Sequence, residues 1–206
     1  MYRTATVFTF LMFLSIGMQI IASEGAEWEL AKEKDGLKVF TRKSTKSTMK
    51  DAKAVLNIDA STTEIVSVIR DYGNYNKWMD RCEKVEIIKR ISNDQCYLHY
   101  YTEAPWPVSD RDNVALWTLT PKGEGRYFIT IEADPDYVDE IDGYVRIPYS
   151  YSTWTIEPNA NGGSKVVHYN SAEAGGGMPG WMANMGVIDY PFNTLSGLVQ
   201  ELKRRK

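Results

Sequence analysis

Reactive groups are scarce in this chain of 206 residues, which has two cysteines and two histidines. No Cys or His pair stands at metal-ligand spacing, so neither a structural nor a catalytic metal is expected. Serine-centred elbows, HExxH helices and phosphate-cradling loops are missing too. The one glycine run, "GGG" at 175–177, leads into "MPGW" with no lysine to reach a phosphate. An excess of positive charge is also lacking: the formal net charge is −3, which gives nucleic acid no general footprint. Internal repeats, low-complexity tracts and interdomain linkers are absent. With 43% hydrophobic residues, one well-cored domain remains, acting as a monomer, with no cofactor and no nucleic-acid partner. Aromatic residues, by contrast, are abundant: thirteen tyrosines and six tryptophans suit a large core or a lined cavity.

Long hydrophobic runs occur once. Arg3 precedes an apolar run from Val7 to Ala22, and small residues follow at Ala22, Ser23 and Gly25. That order reads as a secretory signal peptide over 1–25, with an uncleaved anchor as the alternative. An exported protein, periplasmic or secreted, is expected. Export permits disulfides, but Cys82 and Cys96 are placed to stay free. If 83–90 and 95–103 pair as a hairpin, Cys96 faces Lys89 and Cys82 lies about 23 Å further along, whereas a bridge needs Cα atoms within about 7 Å.

After the leader, "EWELAKEKDGLKVFTRK" reads as a hairpin turning at Lys-Asp-Gly, and 48–58 as a third strand. Ser61 or Thr62 opens a short helix carrying Ile65, Val68 and Ile69 on one face, with Gly73 as its end. Strand patterns fill 81 to about 170, with "GYVRIPYSYSTWTIEP" as one of about six. The last segment changes period. Trp181, Met185, Ile188, Phe192, Leu195, Val199 and Leu202 recur at intervals of 4 and 3, an apolar stripe of about six turns, roughly 35 Å long. Pro179 suits its first turn, and Pro191 inside it is expected to remove one helix bond and kink the axis. The predicted class is α+β: a curved antiparallel sheet wrapped around a long C-terminal helix.

Two motifs sharpen this. "EAPWPVSDRDNV" (103–114) is followed, about sixty residues on, by "GGGMPGWMAN" (175–184) and the terminal helix. In this order they resemble the START (StAR-related lipid-transfer) family, over roughly 27–205. The resemblance implies a helix-grip fold with a lipid-sized tunnel between sheet and helix, hence a START-like lipid-binding domain over 26–206. Sterol-carrying members commonly place a second arginine six residues after the motif arginine. Here that position is Trp117, so a sterol-type charged pair is not evident.

Candidate ligand-binding residues follow. Arg111 either pairs with Asp110, Asp112 or Glu103, or presents its planar fork to a head group. His99 shares a strand face with Tyr97, Tyr101 and Glu103 by alternation; it is a wall histidine bonded to tyrosine or ligand, or half of an acid–base pair. Trp106 sits between two prolines, as a loop stiffener or at the tunnel rim. Trp117, with Phe128, Tyr149, Tyr151 and Trp154, is a pocket-wall candidate whose face alternation alone leaves open. Met178, Trp181, Met185, Ile188 and Phe192 form the adaptable side of a helix lid hinged at Gly175, Gly176 and Gly177, or simply fill the core. The tail KRRK (203–206) ends the helix favourably or touches anionic head groups. Three functions are open: a non-enzymatic lipid carrier with transient membrane contact, a cyclase- or hydrolase-like enzyme on the same scaffold, and a partner-sensing domain. No catalytic residue is assigned.

Overall fold

In the computed structural model the described residues are 27–178 and 180–206, without the side chains of Gly180, Trp181, Met182 and Met185. The leader segment and Pro179 lie outside them.

Hairpin β1 (Glu29–Lys34) and β2 (Leu37–Lys43) turns through Asp35 and Gly36, whose φ values of 52° and 79° are the left-handed pair of a tight hairpin turn. β3 (Lys50–Ile58) pairs with β2, and α1 (Thr62–Ile69) follows. Ser61 caps α1 reciprocally with Glu64, as the sequence suggests. Gly73 does not end this helix. Arg70 is its C-cap, the Tyr75 hydroxyl donates to the Ile69 carbonyl, and Gly73 lies within a 3-10 helix, Tyr72–Lys77. A tertiary contact satisfies the terminal carbonyl where a glycine cap was expected.

The remaining strands are β4 (Cys82–Arg90), β5 (Gln95–Thr102), β6 (Asp110–Pro121), β7 (Tyr127–Ala133), β8 (Tyr144–Arg146), β9 (Tyr149–Pro158) and β10 (Ser164–Glu173). β8 and β9 were expected as one strand. Pro148 divides them: it has no N–H to donate, and β8 turns aside to lie parallel to β6. The curved ten-stranded sheet runs β1-β2-β3-β10-β9-β7-β6-β5-β4, antiparallel except for β8. Cys82 and Cys96 are free, and Cys96 faces Arg90, one residue from the expected partner.

α2 (Gly180–Arg204) lies along the inner face, unbroken through Pro191. Its two halves differ. Leu195, Leu198 and Leu202 are buried against Ile65 and Ile69 of α1 and sheet residues such as Leu98, Ile129 and Ile156. Gly197 lets the backbones touch, because a Cβ there would stand 2.1 Å from the Trp78 carbonyl oxygen. Residues 186–190 are only half-buried. Between them and the sheet lies a cavity.

Candidate functional site

The space between them is a cavity of about 240 Å³. Its roof is Ala183, Gly186, Val187 and Tyr190 of α2, and its floor is Trp154 with His168, whose rings stack at 4.0 Å. Tyr100, Asn113 and Ile131 form a side wall, while Met49, Pro105, Glu173 and Met178 stand towards the opening. Around the opening, Gly175, Gly176 and Gly177 take φ of 65°, 60° and 66°, three consecutive left-handed residues that only glycine adopts without strain. Gly175 and Gly176 also pack closely: a Cβ at Gly176 would lie 2.8 Å from Val145 Cγ1.

Arg111 reaches this cavity from the start of β6 and is 4% exposed. None of its three candidate acids is its partner. The Asp110 carboxylate accepts from the Ala104 amide at 2.8 Å, Asp112 binds Arg146 and His99, and Glu103 makes no ion pair among the described residues. The guanidinium instead donates through Nη1 to the Ser109 carbonyl and, at 3.5 Å, through Nη2 to that of Gly175; its buried Nε has no partner among the described residues. Burial lowers its pKa, opposed by the charge of Asp110.

His99 and Tyr101 are not at the cavity. Tyr100 and Thr102 line it, so alternation along β5 turns Tyr97, His99 and Tyr101 to the outer face. There His99 Nε2 lies 2.7 Å from Asp112 Oδ2, and the Tyr101 hydroxyl is 3.1 Å from His99 Nδ1 and 3.0 Å from Glu86. Arg146 donates to Asp112 at 2.9 Å and to the carbonyls of Pro135, Val138 and Asp139. Burial pushes the Asp112 carboxyl up, but the bonds from Arg146 and His99 outweigh it and leave it lowered. The partner of His99 is thus Asp112, not Glu103, and the network straps the segment before β8 to the sheet.

Trp117 is fully buried in the core, edge-on to Tyr72 at 5.3 Å, rather than on the cavity wall. Of its companions only Trp154 lines the cavity; Phe128, Tyr149 and Tyr151 alternate to the other face. Trp106 is 90% exposed, one residue beyond Pro105. Ile188 and Phe192 are half-buried against the core, with the Lys32 ammonium 4.0 Å from the Phe192 ring centroid. The side chains of Trp181 and Met185 lie outside the described residues. Sequence reasoning passed over Tyr100, Asn113, Ser152, Tyr190 and His168. For His168 the usable signal was its place on one face with Val166 and Asn170, between two apolar strands.

His168 is 1% exposed, and burial pushes its imidazole down to about 3, so it is neutral. Its Nε2 lies 2.9 Å from Ser152 Oγ. The thiol and two phenols of the wall move the other way: burial raises the Cys82 thiol to about 12 and the phenols of Tyr100 and Tyr190 well above their ordinary value.

The START domain matches this chain over residues 15–205. A STAR-related lipid transfer protein from Xanthomonas axonopodis is 35% identical and superposes with a TM-score of 0.79, covering 85% of this chain and 98% of that one. An uncharacterised protein of Pseudomonas aeruginosa is 32% identical over 179 residues, 87% of this chain and 88% of its own. Human phosphatidylcholine transfer protein is 28% identical over 173 residues, 81% and 79% of the two chains. With a START domain match over residues 15–205 and a 35% identical STAR-related structure superposing on 85% of it, this chain belongs to the START domain family.

Proposed function

We propose that this protein is a non-enzymatic lipid carrier, exported through its N-terminal leader, that holds a lipid with an anionic head group under α2. One observation carries the reading: a buried guanidinium at the cavity with no carboxylate bound to it. A charge left unpaired in such a place is costly, and a phosphate or carboxylate oxygen supplies the missing acceptor. The relatives named for phosphatidylcholine transfer support a phosphate-bearing head. The acyl portion is held by leaving water, at roughly 0.8 kcal/mol per methylene.

Catalysis finds little support in the cavity. His168 is neutral and has a hydroxyl, not an acid, for company, and the thiol and phenols titrate far from neutrality. Asp80 is raised by burial, but Asn193 already donates to it at 3.1 Å. Trp106 suits a transient membrane contact, since an exposed indole beside the opening is a side chain that settles at a lipid–water interface.

The test is native mass spectrometry of protein equilibrated with mixed phospholipid vesicles. Wild type is expected to retain one intact lipid. Arg111→Leu should weaken retention by about ten- to a hundredfold, the worth of one or two charge-assisted hydrogen bonds. It should also leave Tm unchanged or raised, because an unpaired buried charge has gone. Full retention with a Tm several degrees lower would make Arg111 a structural residue and sink the reading.

A further inference from the structure

Beyond Arg111, the cavity carries a second set of unsatisfied polar atoms at its floor. His168 Nδ1 and the Tyr100 hydroxyl are buried without a hydrogen-bond partner among the described residues, and both residues line the cavity. Native interiors rarely leave such atoms unpaired. Around them stand Trp154, stacked on the imidazole, and Ile131, with Ser152 bonded to the ring. This floor is well separated from the head-group end. Arg111 reaches the Gly175 carbonyl, just past β10, whereas His168 lies seven residues back from Gly175, about 23 Å at strand rise.

We propose that the floor is a second ligand subsite, taking an uncharged hydroxyl at the far end of a lipid whose anionic group is held by Arg111. The proposal rests on the carrier reading and adds that an amphiphile polar at both ends is held more tightly than one with a methyl terminus. A hydroxyl is the group that fits, because the tautomer of His168 is set only by Ser152. When the serine hydroxyl donates to Nε2, Nδ1 carries the proton and donates; when Nε2–H donates to the serine, Nδ1 accepts. A hydroxyl serves either form, and it also suits the Tyr100 hydroxyl, itself donor and acceptor. A methyl terminus in the same place satisfies none of these atoms. The neutrality of His168 agrees with an uncharged partner, since a second carboxylate there would draw a proton onto the ring.

Hexadecanoic acid and ω-hydroxyhexadecanoic acid differ only at this end. Calorimetric titration of the delipidated protein should show the hydroxylated acid bound about tenfold tighter, the worth of one buried hydrogen bond. His168→Phe keeps a flat ring on Trp154 and should erase the preference. Arg111→Leu should weaken both acids alike. In wild-type protein, which does not depend on that variant folding, the imidazole Nδ1 resonance in 15N spectra should move with the hydroxylated acid and not with hexadecanoic acid. Equal affinities with a still resonance overturn the floor subsite and leave the Arg111 reading standing. Failure of both acids to bind wild type overturns both.

Discussion

At the scale of single residues, His168 couples the cavity to pH. Its folded pKa of about 3 lies below the ordinary 6.5, so between these values the unfolded chain binds the proton and the folded one does not. Stability from this group is complete above about 6.5 and is lost as pH falls towards 3, with a limiting slope of ~1.4 kcal/mol per pH unit. Urea midpoints measured from pH 7 to 4.5 should fall for wild type and flatten for His168→Phe. Parallel curves would mean that water reaches and solvates the imidazolium in the folded state. Residue identity gave no sight of this, because period-two alternation says which residues share a face and not which face is concave. The same gap sent His99 and Tyr101 to the cavity: they do share a face, with Tyr97, but it is the outer one. Arg111 was legible from its motif. Its lack of an acid partner was not, since that depends on Asp110 and Asp112 being engaged by Ala104 and by Arg146.

Among the elements, α2 shows how one periodic stripe serves two purposes. The stripe from Ile188 to Leu202 was readable from spacing, but the spacing is uniform and the structure is not. Leu195, Leu198 and Leu202 enter the core, while Gly186 and Val187 roof a cavity. Two glycines of this helix separate the halves experimentally. Helix propensity alone favours alanine over glycine at both, by ~1 kcal/mol. At Gly186 an added Cβ meets nothing within 4 Å, so Gly186→Ala should raise stability by roughly 0.5–1 kcal/mol. At Gly197 it would stand 2.1 Å from a backbone oxygen that cannot rotate away, so Gly197→Ala should lower stability by about 1–3 kcal/mol despite its propensity. Urea unfolding of both variants decides the matter, and two changes of the same sign would show that α2 is not seated on Trp78 in solution. The end of α1 and the β8–β9 division escaped sequence reading for a common reason. One is set by a tyrosine hydroxyl reaching back six residues and the other by a proline dividing two strands, neither of which the periodic pattern shows.

For the whole molecule, the two ends of α2 are fastened unequally. At the C-terminal end Glu201, drawn down to about 2 by Arg204 and then Arg205, holds both arginines, and Arg205 reaches Asp71 at 2.6 Å. Lys206 adds a bond to the Asp59 carbonyl. These basic residues are occupied within the fold and sit 21 residues, about 32 Å, along the helix from Ala183 at the cavity. At the other end the ties are the half-exposed ion pair of Lys32 with Asp189, 2.9 Å, and the same ammonium over Phe192. Pro191 leaves the Val187 carbonyl without its helical donor between these regions. A cavity of about 240 Å³ falls below the roughly 300–1,000 Å³ usual for ligand pockets, so a two-chain lipid needs the roof to lift. The unequal fastening says which part lifts: 183–192 swings while 195–204 stays seated. Amide exchange should therefore be faster in 183–192 than in 195–204 of the unliganded protein, and bound lipid should slow the first segment alone. Lys32→Met should speed exchange there and raise the rate of lipid transfer between vesicles while costing less than about 1 kcal/mol, as surface ion pairs do. Uniform protection along α2 with an unchanged transfer rate would require the lipid to enter past Met49 and Met178 with the helix at rest.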